Sequence, residues 1–240
     1  MPRSPIVTVH VLVVLAVFVV GAAAALECCE HDRSLRLLGE TTIAQGQPRE
    51  LCVVGDAAYS LGLHDPFVAV YDLRDPAGPQ ELQPLPLPAE PAAIAASEDW
   101  LLVAVPDLGL VRYDLSDPFV PVADDTLDLG TGLLDVAVQG DLAAVSTIHG
   151  VRMIGLDFPT GMIGLGTYTT PSVLEAVAID DAHLYLAARD HGLMVLDASD
   201  PTWLQPVGAA AFVGAAEQVA VGEGLAVVVG RYTDGTRGQA

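Results

Sequence analysis

The stretch "LVRYDLSDPFVP" (residues 110–121) decides the fold, because it joins a run of apolar residues to an Asp-Pro break. Similar phrases recur as "VAVYDLRDPAGP" (68–79) and "LMVLDASDPTWLQP" (193–206). Proline has no backbone N–H and cannot donate to a β ladder, so each break should fall between strands. The recurrence therefore predicts one strand-and-turn unit that is repeated along the chain.

The spacing of the units is regular. The prolines that follow each apolar run lie 42, 41 and 42 residues apart, at Pro76, Pro118, Pro159 and Pro201. A glycine lies nine residues before the last three of these prolines, and Phe67 takes that place in the first unit. The agreement of the two markers indicates true repeats rather than a chance similarity.

Each unit contains four candidate strands. In the second unit they are "AAIAA" (92–96), "WLLVAV" (100–105), "LVRYDL" (110–115) and the more polar "PVADDTLDLG" (121–130). Short apolar runs bounded by Gly, Pro and Asp are typical of strands. Runs such as "LLVAV" are apolar on both faces, so each sheet must be covered on both sides. A sheet that is stacked between two neighbouring units meets this need.

These observations predict an all-β protein, a β-propeller of ~42-residue four-stranded repeats with four complete units and a partial fifth. "LGETTIA" (38–44) matches "VGAAAFV" (207–213), so the chain is expected to start with an outer strand and to end two strands into the fifth unit. Two alternatives follow: a truncated piece of a longer propeller, which we favour, or a ring that stays open or closes irregularly.

The repeat resembles a known family. "VAIDDAHLYLAARDHGLMVLDASDPTWLQPVG" (177–208) is similar to the LVIVD repeat, and residues 67–79 and 109–121 follow the same pattern. The resemblance implies a secreted or cell-surface propeller and is nearly silent on function. The third unit departs from the pattern, because Gly155 stands where the others carry Asp72, Asp114 and Asp197. We therefore expect that aspartate to have a structural role in the turn.

Composition excludes several function classes. Ten basic residues against 31 acidic ones give a net charge of −21, and all ten are Arg. The absence of Lys excludes lysine Schiff-base chemistry and a P-loop lysine. Nucleic acid needs a basic footprint, so we expect no nucleic-acid partner. No Gly-x-Ser-x-Gly, His-Glu-x-x-His or Cys-x-x-Cys motif occurs.

The N-terminus has the pattern of an export signal. Arg3 precedes the apolar run 6–20, and "GAAAA" (21–25) supplies small residues for cleavage. We predict a signal peptide (1–25), a linker (26–36) and propeller repeats (37–240). The mature chain is then extracellular, periplasmic or on the cell surface, with no membrane insertion. The alternatives are an uncleaved N-terminal anchor or a lipoprotein modified at Cys28.

The predicted export bears on how the three cysteines pair. Export permits disulfides. Cys28 and Cys29 are neighbours and would form a strained ring together, so a bridge from one of them to Cys52 is the more natural pairing.

A possible site lies at one end of the units. The turn between the second and third strands of a unit should lie at the same end as the start of its first strand. Repetition would then gather carboxylates and imidazoles around one channel mouth: His64, Asp65, Asp107, His149, Asp190 and His191 from the turns, with Glu50, Asp135, Glu175 and Glu217 from the first strands. Such oxygens would suit Ca²⁺. The alternative, which we favour, is that these residues serve turns in an acidic chain and that there is no cofactor.

Three function classes remain. We favour a binding or interaction scaffold whose partner is a protein or small-molecule ligand. The first alternative is a metal-assisted hydrolase at the acidic channel mouth. The second is a purely structural module of a longer surface protein. Fold alone cannot choose among them.

Overall fold

The computed structural model describes residues 48–222 and 225–231, and all of its regular structure within those ranges is β-strand. The predicted signal peptide, the linker, the outer strand at 38–44, Cys28 and Cys29 lie outside the described residues. Within the described ranges there is no helix that could cross a membrane.

The first two units each form one antiparallel sheet. Sheet 1 contains β1 (Pro48–Val54), β2 (Ala57–Gly62), β3 (Phe67–Asp72), β4 (Gln80–Glu81) and β5 (Leu85–Pro86). Sheet 2 contains β6 (Ala93–Ala96), β7 (Trp100–Val105), β8 (Gly109–Asp114) and β9 (Val122–Leu127). The outer strand of sheet 1 is split into β4 and β5, because Pro84 and Pro86 interrupt a continuous ladder there.

The remaining units repeat this plan. Sheet 3 contains β10 (Leu133–Gln139), β11 (Leu142–Thr147), β12 (Gly150–Gly155) and β13 (Ile163–Thr169). Sheet 4 contains β14 (Leu174–Asp180), β15 (His183–Ala188), β16 (Gly192–Asp197) and β17 (Gln205–Ala210). Sheet 5 contains β18 (Ala215–Gly222) and β19 (Leu225–Arg231). The prediction of four complete units and a partial fifth is confirmed.

The sheets stack face to face with their first strands on the inside. These inner strands contact one another in sequence, from β1 through β6, β10 and β14 to β18. The arrangement is propeller-like, as the sequence predicted.

Apolar side chains fill the space between successive sheets. Leu101 and Val103 of β7 pack towards sheet 1, while Leu102 and Ala104 of the same strand pack towards sheet 3. Because successive side chains of a strand point to opposite faces, one strand contributes to two interfaces. This is why the runs are apolar at almost every position.

The recurring Asp-Pro phrase is a connector made of two capped turns. The first aspartate accepts a hydrogen bond from the backbone N–H two residues on, as Asp114 does from Ser116 (2.6 Å) and Asp197 from Ser199 (2.9 Å). The second aspartate repeats this, as Asp117 does with Phe119 (3.0 Å). The hydrogen bond from Ser116 lowers the pKa of Asp114. These contacts give the first aspartate a structural role in the turn, as the sequence predicted.

The third unit uses an aromatic ring in place of the first cap. A Cβ added at Gly155 would lie 2.2 Å from Cε2 of Phe158. The missing side chain therefore makes room for Phe158, whose carbonyl accepts the turn hydrogen bond from Gly161 (2.9 Å).

Candidate functional site

One end of the molecule is formed by the turns that join the second and third strands. We call it the turn face and define it as residues 63–65, 107–108, 148–149 and 190–191. The backbone N–H of Ile148 donates to Gly132, which lies just before β10 (3.0 Å), and that of Arg189 donates to Val173, just before β14 (3.0 Å). These turns therefore lie at the end where the inner strands begin.

Two turns hold non-glycine residues in a left-handed conformation. His64 has φ 67° and Asp107 has φ 63°. Such values are uncommon for residues with a Cβ. Glu90 fixes the first turn, since it accepts hydrogen bonds from the His64 backbone N–H and contacts the His64 ring at Nδ1, both at 3.1 Å. The contact with His64 lowers the pKa of Glu90.

The turn face presents apolar side chains to solvent. Leu63 is 39%, Leu108 36% and Ile148 41% exposed. Each lies in the same turn of sheet 1, 2 or 3. The face therefore combines repeated apolar side chains with the histidines and aspartates that the sequence placed there.

Three of the remaining turn residues are held through their own backbone N–H groups. The N–H of His149 donates to Thr147 Oγ1 (3.1 Å), and that of His191 donates to the Ala188 carbonyl (2.9 Å). The N–H of Asp190 lies 3.4 Å from Ser172 Oγ. Asp65 Oδ2 is buried without a hydrogen-bond partner among the described residues.

Strand register sorts the four inner-strand acids into two sets. A register shift precedes Glu50 in β1 and Asp135 in β10, whereas it falls on Glu175 in β14 and Glu217 in β18. Glu50 and Asp135 are thus equivalent, with Ala93, Ala176 and Gln218 at their position in sheets 2, 4 and 5. The proline and glycine markers of the repeat do not show this one-residue offset.

Glu50 and Asp135 hold neighbouring sheets together. Glu50 Oε2 accepts from the N–H of Ile94 in sheet 2 (3.1 Å), and Asp135 Oδ2 accepts from that of Val177 in sheet 4 (2.8 Å). Burial raises the pKa of Glu50 to about 7, with a further contribution from the charge of Asp135. Burial also raises the pKa of Asp135 to about 6, against the effect of its backbone hydrogen bonds. These two carboxyl groups lie within electrostatic reach of each other.

Glu175 and Glu217 have different partners. Each forms an ion pair with an arginine fourteen residues further on, Glu175 with Arg189 and Glu217 with Arg231. Their carboxylates are therefore partly neutralised by side chains of their own sheets.

No three His, Cys, Asp or Glu side chains of residues 48–222 and 225–231 lie close enough to hold a metal ion. The expectation of no cofactor, with Ca²⁺ as its alternative, stays a prediction that rests on the sequence pattern. Cys52 is half-buried against the interface of sheets 1 and 2, and burial raises the pKa of its thiol. Its predicted bridge to Cys28 or Cys29 involves residues outside the described part.

Sequence reasoning missed Arg112. This residue of β8 is 7% exposed and makes a two-pronged contact with Asp124 of β9, at 3.0 and 2.7 Å. Its guanidinium also donates to the Leu156 carbonyl of sheet 3 and lies 4.2 Å from the Trp100 ring centroid. A charged residue inside an apolar strand, beside an outer strand with two aspartates, was the available signal.

Comparison with solved structures shows the same kind of fold. The computationally designed Ika8 protein gives a TM-score of 0.61 at 13% identity, over 80% of this chain and 57% of that one. A functionally unknown protein from Desulfotomaculum acetoxidans gives 0.65 at 10% identity, over 79% and 64%. A protein from Lactobacillus plantarum gives 0.60 at 16% identity, over 75% and 60%. The chain thus spans less than two thirds of the length of each, and at these identities the likeness concerns the fold alone.

No curated protein matches the chain. The family model of the LVIVD repeat matches residues 175–209, which run from β14 through β17 and so cover sheet 4. The protein carries an LVIVD repeat within a propeller-like stack of antiparallel sheets.

Proposed function

We propose that the protein is an exported β-propeller that acts as a binding scaffold and takes its protein or small-molecule ligand on the turn face. The observation that carries this proposal is the exposure of Leu63, Leu108 and Ile148 at the same turn of three successive sheets. Apolar side chains that share one surface favour association, because water leaves them when a partner covers them.

The construction of the turn face supports this role. Each turn is the tip of a hairpin whose strands pack tightly against a neighbouring sheet, so the backbone beneath the exposed side chains is rigid. Binding residues on tips that a rigid framework positions are common in proteins. Preformed tips also lose little conformational entropy when a ligand binds.

The proposal is tested by retention of ligands on immobilised mature protein. The variant Leu63→Ser, Leu108→Ser, Ile148→Ser should lose the components that the wild type retains from the surface and secreted fractions of its source cells. The matched control is Val120→Ser, Val122→Ser, which changes side chains that are 62% and 60% exposed near the Asp-Pro connector of sheet 2. Equal retention by the triple variant and the wild type would contradict the proposal.

Export has its own test. The intact mass of the exported protein should correspond to a chain that begins near Ala25 or Leu26 and carries no lipid. A diacylglyceryl mass on Cys28 would show that the protein is a lipoprotein.

A further inference from the structure

Arg152 stands apart from the other arginines. Of the six in residues 48–222 and 225–231, it alone makes no ion pair within 4.0 Å of a described carboxylate. Its side chain is exposed, although the chain has a net charge of −21. A cation left unpaired in so acidic a protein is available to an outside anion.

The strand that carries Arg152 directs it towards sheet 2. Val151 and Met153 pack against sheet 4, whereas Ile154 packs with residues of sheet 2. Because side chains alternate along a strand, Arg152 shares the face of Ile154. On the neighbouring strand β13, Thr167 lies directly opposite Arg152, and Gly164 lies opposite Ile154.

A cleft of about 340 Å³ lies at this place. The sheet 2 side of its lining includes Leu127, Asp128 and Leu129, and the sheet 3 side includes Arg152, Ile154 and Thr167. Gly164 also lines it, and a Cβ added there would meet no atom within 4 Å. The missing side chain of Gly164 therefore leaves part of this space open, and the volume lies in the range of small-molecule sites.

The lining selects a class of ligand. Arg152 offers a guanidinium that suits a carboxylate, and Thr167 adds a hydroxyl. Leu127 is half-buried and offers some apolar surface, whereas Leu129 and Ile154 are almost fully buried beneath the cleft. Asp128 adds one negative charge, and one of its oxygens already accepts from the Gly130 N–H (2.8 Å). That charge disfavours ligands with several negative charges, such as phosphates.

We propose that the cleft between sheets 2 and 3 binds a small monocarboxylate, whose carboxylate contacts Arg152. The cleft adjoins the turn face, because Leu127 and Asp128 lie beside Gly109, but its lining includes no turn-face residue. It would therefore add a second binding activity to the proposed scaffold. The turn-face variant described above should bind the carboxylate as the wild type does.

The test compares two probes of nearly the same shape, 3-phenylpropanoate and its neutral analogue 3-phenylpropanamide, by NMR titration of backbone amide shifts at constant pH and ionic strength. The carboxylate should shift amides of β9, β12 and β13 with a Kd below about 10 mM, as expected for a ligand of this size. The amide should bind at least about tenfold more weakly.

Two variants separate charge from space. Arg152→Gln should remove the preference for the carboxylate, because the guanidinium is gone. Gly164→Leu should abolish binding of both probes without lowering the melting temperature, since the new side chain has room. Arg189→Gln, which changes an arginine directly before the turn-face residues 190–191, should leave both affinities unchanged.

Three results would overturn the proposal: equal affinity for the two probes, an unchanged preference in Arg152→Gln, or no shift in β9, β12 and β13 at saturating carboxylate. Binding that survives in Gly164→Leu would likewise place the site elsewhere.

Discussion

Arg112 is a charged side chain buried between two apolar sheets. Burial of a cation is costly unless every donor finds a partner. Asp124, the Leu156 carbonyl and the face of Trp100 supply those partners. Because the Leu156 carbonyl belongs to sheet 3, the same side chain also joins two sheets.

We expect Arg112→Ala to lower the free energy of unfolding by about 2–4 kcal/mol, because it leaves Asp124 and the Leu156 carbonyl without their partner. Arg112→Lys should lower it by about 1–2 kcal/mol, since an ammonium cannot reproduce the two-pronged contact. Urea titration followed by tryptophan fluorescence measures both.

The matched control is Arg152→Ala, which removes the same charge from an exposed position in β12, the corresponding strand of sheet 3. It should change stability by less than about 0.5 kcal/mol. A loss in Arg112→Ala no larger than this would mean that the buried contacts contribute little.

Glu50 and Asp135 make stability depend on pH. Their pKa values are raised from 4.5 to about 7 and from 3.8 to about 6. The native state therefore binds more protons than the unfolded chain between these values, so stability falls as pH rises through this window. We expect stability to fall by on the order of 2 kcal/mol between pH 4.5 and pH 7.5. This is less than the two pKa shifts would give in full, because both groups are only partly buried.

The variant Glu50→Gln, Asp135→Asn should flatten this part of the stability curve. It keeps the oxygens that accept from Ile94 and Val177 but cannot ionise. Glu98→Gln, Asp99→Asn removes the same net charge from an exposed turn and controls for general repulsion in an acidic chain. If both variants flatten the curve equally, the dependence belongs to the net charge and not to the inner strands.

The register around Glu50 also shows what the sequence could not provide. The sequence predicted acidic residues near the start of four of the five inner strands, and in the structure they lie in β1, β10, β14 and β18. A one-residue bulge decides which of them reaches across to the next sheet. Glu175 and Glu217 fall on the bulge and pair with arginines, whereas Glu50 and Asp135 lie just after it. Such a shift leaves no mark in an apolar pattern with residues buried on both faces.

Among the elements, the Asp-Pro connector was the most predictable. β7 begins and ends where the run "WLLVAV" does, and β8 differs from "LVRYDL" by one residue at each end. Turn chemistry is local, so Asp114 and Asp117 act on residues two positions away and can be inferred from sequence. The split outer strand of sheet 1 was not predicted, although Pro84 and Pro86 were its signal.

The third connector gives a prediction that runs against the repeat pattern. Gly155→Asp would restore the residue found in the other units, yet we expect it to lower the melting temperature. The new Cβ would collide with the Phe158 ring, which is 40% exposed and would have to give up the rest of its packing. Differential scanning calorimetry measures the change.

The comparison for this prediction is Asp114→Gly, which makes the second connector like the third. It should also lower the melting temperature, because Ser116 loses its acceptor and no aromatic ring replaces it. A Gly155→Asp protein that is more stable than the wild type would show that the aspartate cap outweighs the Phe158 packing.

In the molecule as a whole, stability is shared unevenly along the stack. The interface of sheets 2 and 3 buries large side chains, including Leu102, Leu110 and Ile154. Among residues 48–222 and 225–231, the fully buried members of the interface of sheets 4 and 5 are the small side chains of Ala176, Ala187 and Ala216. In proteins built of repeats, each unit is stabilised chiefly by its neighbours, so the sheet with the weaker interface should open first.

The exposure of β19 strengthens this argument. Leu225, Val227 and Val229 are 65%, 49% and 59% exposed, so these three apolar side chains bury only part of their surface. We expect native-state hydrogen exchange to give β18 and β19 an opening free energy at least about 2 kcal/mol below that of β11 and β12.

Val219→Ala, which removes apolar contact between sheets 4 and 5, should speed exchange in sheet 5 and leave β11 and β12 unchanged. Arg231→Gln is the control, since the loss of an ion pair whose arginine is exposed should change exchange little. Equal protection of all the inner strands would mean that the stack opens as one cooperative unit, in which the small interface limits nothing.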